Sequence, residues 1–129
     1  MKILQPAGWP RPSGFSQGIV AEGTTIVLAG QIGWDPASDS IVEGFAAQVE
    51  QALRNIVMIL HDAGAAPDDI IRLTWFVTDM QAYRSELKAI GQGYRRVLGK
   101  RFPAMSVIGV SCLVEPAALV EIEAIATLR

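Results

Sequence analysis

Two glutamates spaced one residue apart, Glu121 and Glu123, form the acidic pair whose spacing could serve a reaction. They alternate with apolar residues in Val120-Glu121-Ile122-Glu123-Ala124, and this period of two predicts a strand. Successive side chains of a strand point to opposite faces, so both carboxylates would share one face. Carboxylates on a buried face need cations, hydrogen-bond donors or water. The pair therefore predicts either ion pairs across a subunit contact or a site in which a glutamate handles water and protons.

The other reactive residue types are too few for the common catalytic arrangements. His61 is the only histidine, so one chain cannot provide a two-histidine metal site or nuclease centre, and its place on the polar side of a helix predicts exposure. Cys112 is the only cysteine, and its position in an apolar strand predicts a buried, inert thiol. The segment Gly30-Gln31-Ile32-Gly33 is too short for a dinucleotide fingerprint, and no CxxC, HExxH or phosphate loop occurs. We predict neither a metal nor a cofactor.

Composition predicts one intracellular globular domain. The chain has 129 residues, of which 50% are hydrophobic, enough for a core without disulfide or metal staples. Its formal net charge of -2 disfavours nucleic-acid binding, which usually goes with a basic excess. The start of the chain lacks the long apolar run of a signal peptide, and no stretch is apolar enough to span a bilayer. We therefore expect a cytoplasmic protein.

The spacing of apolar residues predicts the elements that would position the acidic pair. Residues 1–14 carry three prolines and predict an irregular N-terminal arm. Strands are predicted over 15–21, 25–34, 70–78, 105–113 and 119–127, the first two joined as a hairpin by Glu22-Gly23-Thr24, and helices over 44–63 and 81–98. The order β-β-α-β-α-β-β indicates an α+β fold in which two helices cover one face of a sheet.

Two further side-chain patterns belong to the second predicted helix. Asp79 precedes it and can cap its first turn. The basic residues at its end would form a solvated helix terminus that complements the helix dipole. They are Arg95, Arg96, Lys100 and Arg101.

Several predicted strands are apolar on both faces. Ile26-Val27-Leu28 and Trp75-Phe76-Val77 are runs of consecutive apolar residues rather than alternating patterns. Strands of this kind are usually covered on both sides, and two helices can cover only one. We expect other copies of the chain to cover the second face. The alternative is that loops or the N-terminal arm cover it.

Five segments, in order along the chain, resemble the RidA/YjgF family, also called the reactive-intermediate deaminase or L-PSP family. They are Gly14-Phe15-Ser16-Gln17-Gly18, Ala29-Gly30-Gln31-Ile32, Gln51-Ala52-Leu53-Arg54-Asn55-Ile56, Phe102-Pro103-Ala104 and Glu121-Ile122-Glu123-Ala124-Ile125-Ala126. The resemblance implies a chorismate-mutase-like fold with a mixed sheet, and a homotrimer with small-molecule pockets between subunits. It implies that Glu121 positions the attacking water as the catalytic residue. Its implied substrate-binding residues include Gly30, Gln31, Ile32 and Ser106.

The chain departs from the family pattern where a substrate's acid group would be held. Imine and enamine deaminases of this family carry an arginine after Phe-Pro-Ala that binds the substrate carboxylate, and here that position is Met105. Phe15 stands where the family often has tyrosine, and Val107 replaces a small polar residue or cysteine. Trp34 is either a pocket wall or an end-of-strand packing residue. Together these substitutions predict a more apolar substrate-binding cleft.

Three functions are compatible with this pattern. The first is a Rid-like hydrolase, in which water held by Glu121 attacks a C=N carbon and ammonia is released, an aminomuconate-type deamination being one version. Arg101 and Arg11 are the candidates for a substitute acid-binding group. The second is a non-catalytic trimer that binds a metabolite, which the missing arginine favours. The third is a ribonuclease, against which the acidic pI and the lone histidine argue.

Overall fold

The computed structural model describes all residues, Met1–Arg129. It contains eight strands, three α-helices and one 3-10 turn. In chain order these are β1 (Lys2–Leu4), β2 (Gly18–Val20), β3 (Thr24–Ile32), β4 (Trp34–Asp35), β5 (Ser40–Ile41), α1 (Phe45–Asp62), the 3-10 turn (Pro67–Asp69), β6 (Ile70–Val77), α2 (Met80–Ser85), α3 (Leu87–Leu98), β7 (Ala104–Gly109) and β8 (Val120–Leu128). The predicted α+β class is confirmed.

Four strands form the main sheet, in the order β3-β8-β6-β7. β8 is antiparallel to both of its neighbours, whereas β6 and β7 are parallel. Parallel strands need a long crossover, which α2 and α3 provide between β6 and β7. The implied mixed sheet is therefore confirmed, and the strand with the two glutamates lies in its interior.

The first helix, α1, forms because its apolar residues make one continuous stripe. Phe45, Val49, Leu53, Ile56 and Leu60 recur at helical spacing and are all buried in the core. The chain leaves the helix where the following glycine adopts a φ of 75°, in the left-handed region that favours this residue. The observed helix agrees closely with the predicted one.

The second predicted helix is two helices, α2 and α3. Asp79 caps α2 as predicted, because its Oδ1 accepts hydrogen bonds from the N–H groups of Gln81 and Ala82 at 3.0 and 3.1 Å. The helical path breaks at Glu86, with φ −109° and ψ 19°, and resumes at Leu87. No glycine or proline marks this break, so the apolar spacing predicts one continuous helix.

All three helices lie on one face of the sheet. Buried apolar residues of α1, α3 and the strands β3, β6 and β8 join in a single core, against which residues of α2 and β7 also pack. On the opposite face, Val27 and Ile108 are 75% and 44% exposed. We predicted from the sequence that other copies of the chain cover this face. Its burial in an oligomer stays a prediction. No helix is both long enough and apolar enough to cross a membrane.

An ionic contact joins the two long helices. The carboxylate of Glu50 in α1 binds Arg96 of α3 at 2.5 Å and Arg54 of its own helix at 2.6 Å. The hydrogen bond from Arg96 lowers the pKa of Glu50; partial burial opposes this effect, and Arg54 adds to it. Arg95, Arg96 and Lys100 at the basic end of α3 are exposed, as predicted, and Arg96 in addition bonds to α1.

The N-terminal region differs from the prediction. Lys2–Leu4, placed in an irregular arm, forms a strand that pairs antiparallel with Gly18–Val20. The predicted hairpin between residues 15–21 and 25–34 does not form, because β2 pairs with β1 and not with β3. Turn residues at Glu22-Gly23-Thr24 indicate where the chain reverses but not which strand it will pair with.

The environment predicted for Cys112 was also wrong. The thiol is exposed, and the residue lies beyond β7, which ends at Gly109. The reason is that the ladder of β7 with β6 ends where Val77, the last residue of β6, pairs with Gly109. Beyond this point no partner strand remains to extend the apolar segment.

Candidate active site

The register of the strands separates the predicted site residues onto two faces of the sheet. In β7, Met105 pairs with Leu73 and Val107 with Trp75 of β6. Leu73 and Trp75 are buried in the core beneath the helices, and paired residues of neighbouring strands share a face. Met105 and Val107 therefore lie on the helix-covered face.

Glu121 lies on the opposite face. It pairs with Ile32 of β3 and Phe76 of β6, while its own chain neighbours are fully buried in the core. Ser106 shares this face through its pairing with Thr74. Within one chain, Glu121 and Met105 therefore lie on opposite sides of the sheet. The resemblance to the family places them in the same site.

A cavity of about 740 Å³ lies on the helix-covered face, between β7 and the helices α2 and α3. It includes three residues predicted for the substrate pocket, namely Phe15, Met105 and Val107. The rest of its lining is mostly apolar and aromatic and consists of Ser13, Gly14, Trp75, Tyr83, Leu87, Ile90, Gly91, Tyr94, Arg95 and Phe102. A mostly apolar cavity of this size suits a small organic ligand.

Two aromatic pairs shape the cavity. Tyr94 stacks on Phe102 with ring centroids 5.9 Å apart, and Trp75 meets Tyr83 edge to face at 6.2 Å. The Tyr94 hydroxyl donates a hydrogen bond to the carbonyl of Arg101. Burial raises the pKa of both tyrosines, so their phenols are neutral at physiological pH. Tyr83 and Tyr94 therefore form walls of the cavity and do not act as general bases.

Ser16 is a positioning residue that the sequence analysis did not single out. Its N–H donates to the Pro103 carbonyl at 3.0 Å, and its Oγ donates to the Phe102 carbonyl at 2.5 Å. It is buried and forms a parallel bridge with Ala104 at the start of β7. These bonds hold the adjacent Phe15 at the cavity wall. The only sequence signal for Ser16 was its place beside Phe15 in a segment that resembles the family.

On the uncovered face, Glu121 packs directly over Gly30. A Cβ atom at Gly30 would lie 2.6 Å from the Cγ, Cδ and Oε2 atoms of Glu121, so only glycine leaves room for this carboxylate. The contact falls in a β-bulge between Leu28 and Gln31, where β3 shifts register against β8. Both ion pairs of the chain are made by Glu50, so the half-buried Glu121 carboxylate remains available to bind water or a ligand.

Known proteins resemble this chain over most of its length. The family model described as Endoribonuclease L-PSP matches residues 10–128. A RutC family protein of Pyrococcus horikoshii is 38% identical over 119 residues, which cover 91% of this chain and 90% of the relative. The 2-iminobutanoate/2-iminopropanoate deaminase of Bos taurus is 34% identical over 127 residues, which cover 97% and 88%. A crystal structure of the Rid family protein YyfB of Yersinia pestis, described as of unknown function, is 36% identical and superposes with a TM-score of 0.84 over 98% of each chain.

The chain belongs to the RidA/YjgF family.

In this RidA/YjgF chain, neither substitute cation predicted from the sequence borders the cavity. The Arg101 guanidinium donates to the Ile70 carbonyl at 2.8 and 3.2 Å and faces a separate surface depression. Arg11 is exposed and does not border the cavity that contains Met105. Arg95 of α3 borders it instead and is the only charged residue to do so. Arg95 is exposed, in agreement with the predicted solvated helix end, but the sequence did not indicate that it would also border the cavity.

In this RidA/YjgF chain, the side chains of Trp34 and Gln31 each donate a hydrogen bond to a residue nearby in the sequence. The indole N–H of Trp34 donates to Oδ1 of Asp39 at 2.9 Å in the small hairpin of β4 and β5, and the residue does not border the cavity. The residue is 40% exposed in the single chain, so the pocket-wall and end-of-strand alternatives both stay predictions. Gln31 pairs with Ile122, and its amide donates to the carbonyl of Ala29 at 3.2 Å.

The remaining candidate side chains do not converge on a site. His61 is exposed on α1, as predicted. No three His, Cys, Asp or Glu side chains come together in a way that could hold a metal ion. Glu123 is exposed and, with Arg72 and Thr74, borders a depression of about 140 Å³ on the uncovered face. It forms no ion pair within the chain, and a pairing across a subunit contact stays a prediction.

Proposed function

We propose that this chain hydrolyses a carbon–nitrogen double bond in a cleft between copies of itself. One observation carries the proposal: the free carboxylate of Glu121 lies on the sheet face that no helix covers. The apolar cavity that contains Met105 lies on the other face. A single chain cannot bring the two together, whereas neighbouring copies in a cyclic trimer can, because each presents a different face to the shared cleft.

In this cleft Glu121 acts as the general base. It accepts a proton from a bound water while the water oxygen attacks the imine carbon and the π electrons move to nitrogen. The nitrogen then takes up that proton, which gives a carbinolamine. A second proton passes through the same carboxylate from the hydroxyl to the nitrogen, the C–N bond breaks, and ammonia leaves as the carbonyl forms. Relatives named 2-iminobutanoate/2-iminopropanoate deaminase support this reaction class.

The apolar wall favours a substrate with a larger body than the small imines of amino-acid breakdown. The thioether of Met105 cannot make a charge-assisted bond to a carboxylate, and such a bond contributes about 1.5–3 kcal/mol. Binding energy must then come from apolar burial or from a cation elsewhere. An imine or enamine with an unsaturated hydrocarbon body, of the aminomuconate type, meets this condition.

The test of this reaction is ammonia release by Glu121→Gln and its matched control Glu123→Gln. Both variants remove one carboxylate from the same face of the same strand. With a panel of imines generated in solution, we expect Glu121→Gln to lose about a hundredfold or more of the rate without a change in unfolding midpoint. Glu123→Gln should keep the parent rate. Equal rates for Glu121→Gln and the parent would remove the water-positioning role.

The second candidate is a trimer that binds a metabolite without turning it over, and Met105 in place of the family arginine is the observation in its favour. In that case no imine releases ammonia above background, yet a metabolite raises the melting temperature. The family description also names a ribonuclease. A net charge of -2 and a single, exposed histidine argue against RNA cleavage.

A further inference from the structure

We propose that Arg95 is the anion-binding residue of the apolar cavity, and that the ligand of this cavity is a carboxylate with an aromatic or similarly bulky hydrocarbon body. The inference rests on the proposed use of this cavity as the ligand site. It assigns the acid-binding role to helix α3 instead of strand β7, where the family pattern would put it.

The charge of the lining is the first observation. Of the thirteen residues around the cavity, Arg95 alone carries a charge, and no carboxylate borders the cavity. Arg95 has no ion-pair partner in the chain, whereas its neighbour Arg96 is bonded to Glu50. An unpaired guanidinium at the edge of an apolar cavity presents a forked donor that matches a carboxylate.

Helical geometry explains how Arg95 reaches the cavity. Leu87, Gly91 and Arg95 follow one another at intervals of four residues, so they lie along one side of α3. Gly91 has no side chain, and a Cβ atom there would meet nothing within 4 Å. The helix therefore leaves open space between Leu87 and the guanidinium.

The size and the lining of the cavity define the rest of the ligand. A volume of about 740 Å³ is far more than a three-carbon acid can fill. The walls include the ring of Tyr83, which meets Trp75 edge to face, and the thioether of Met105. Aromatic rings and thioethers pack favourably against an aromatic body. A ligand with a ring at one end and a carboxylate at the other would contact both these walls and Arg95.

The test measures binding by calorimetry for three probes: 3-phenylpropionate, its neutral analogue 3-phenylpropanamide, and propionate. The parent should bind the aromatic acid in preference to the amide, and propionate most weakly. Arg95→Gln should weaken binding of the aromatic acid by about three- to tenfold and leave the amide unchanged. Arg96→Gln, which removes the same charge one residue away, should change neither. Raising the salt concentration should weaken acid binding to the parent but not to Arg95→Gln.

A second variant locates the binding site. Gly91→Phe places a ring in the open space beside α3 and should abolish binding of both aromatic probes while the chain stays folded. The inference is overturned if the parent binds neither aromatic probe, if Arg95→Gln keeps the preference for the acid, or if Gly91→Phe still binds it.

These measurements separate this inference from the hydrolase proposal. Glu121→Gln should still bind 3-phenylpropionate in preference to its amide, because that preference comes from the Arg95 guanidinium at the edge of the cavity. Binding that depends on Arg95 in a protein that releases no ammonia would reject the hydrolase alone. Ammonia release by a protein whose acid binding is independent of Arg95 would reject this inference alone.

Discussion

At the scale of single residues, the contact between Gly30 and Glu121 sets the position of the proposed base. The glutamate side chain occupies the space in which any other residue at position 30 would place its Cβ atom. Gly30 therefore leaves the space that the Glu121 side chain occupies beside the bulged strand. A carboxylate held in this way keeps its oxygens free for water, which a side chain bonded to a neighbouring cation would not.

We expect Gly30→Ala to lower both stability and activity. Relief of the 2.6 Å contact displaces the flexible Glu121 side chain more easily than the backbone of β3, so the cost should be about 0.5–1.5 kcal/mol in the free energy of unfolding. Urea denaturation measures that loss, and the ammonia assay measures the displacement of the base. The matched control is Gly91→Ala, which enters open space in a helix and should gain about 0.5–1 kcal/mol. Equal changes in stability for the two variants would contradict this reading of the contact.

Residue spacing predicted some roles and could not predict others. The alternation around Glu121 placed this carboxylate on the face opposite the core, and the structure agrees. The roles of Arg95 and Arg96 could not be separated, because adjacent residues at a helix end differ only by their direction around the axis. Which of them meets Glu50 depends on how α1 packs beside α3, and nothing local encodes that packing.

At the scale of elements, the helices were predicted where their apolar stripes are unambiguous. α1 agrees closely because five apolar residues recur at helical spacing and a glycine follows. The break between α2 and α3 was missed, because Glu86 carries no local signal for it. The pairing of β1 with β2 was missed for a related reason, since turn residues do not specify a partner strand.

The contact of Glu50 with Arg96 gives the helix pair a pH dependence. The pKa of Glu50 is lowered in the folded state, so the contact stabilises the fold above the unfolded-state value of about 4.5. This stabilisation is lost as the pH falls through the lower, folded-state value. We expect Glu50→Gln to cost at most about 1 kcal/mol at neutral pH, because solvent screens such pairs. In urea titrations the difference from the parent should shrink as the pH falls below about 4.5 and vanish below the folded-state pKa, and a difference that persists there would point to lost packing.

At the scale of the whole molecule, the uncovered sheet face determines whether the proposed cleft can exist. All helices pack on one side, and apolar side chains such as Val27 remain exposed on the other. An open apolar face of this kind is usually an interface. A trimer would bury it and would bring Glu121 of one copy towards the cavity of the next.

We expect the chain to sediment as a trimer, and Val27→Lys to shift it towards monomers. A charge at a buried contact is costly unless it is paired. The control is Val114→Lys, since Val114 is 100% exposed in the loop before β8 and lies outside the sheet. It should leave the sedimentation coefficient unchanged. A parent that sediments as a monomer at working concentration would remove the premise of a shared cleft.

The placement of Met105 and Glu121 on opposite faces also has a genetic consequence. In the proposed trimer, each chain contributes its Glu121 to one cleft and its Met105 cavity to another. A variant damaged only on the glutamate face and another damaged only on the cavity face would each be inactive alone. When the two variants are co-expressed, mixed trimers would contain one cleft in which an intact Glu121 face meets an intact cavity face. Two loss-of-function alleles of this single gene would then complement each other.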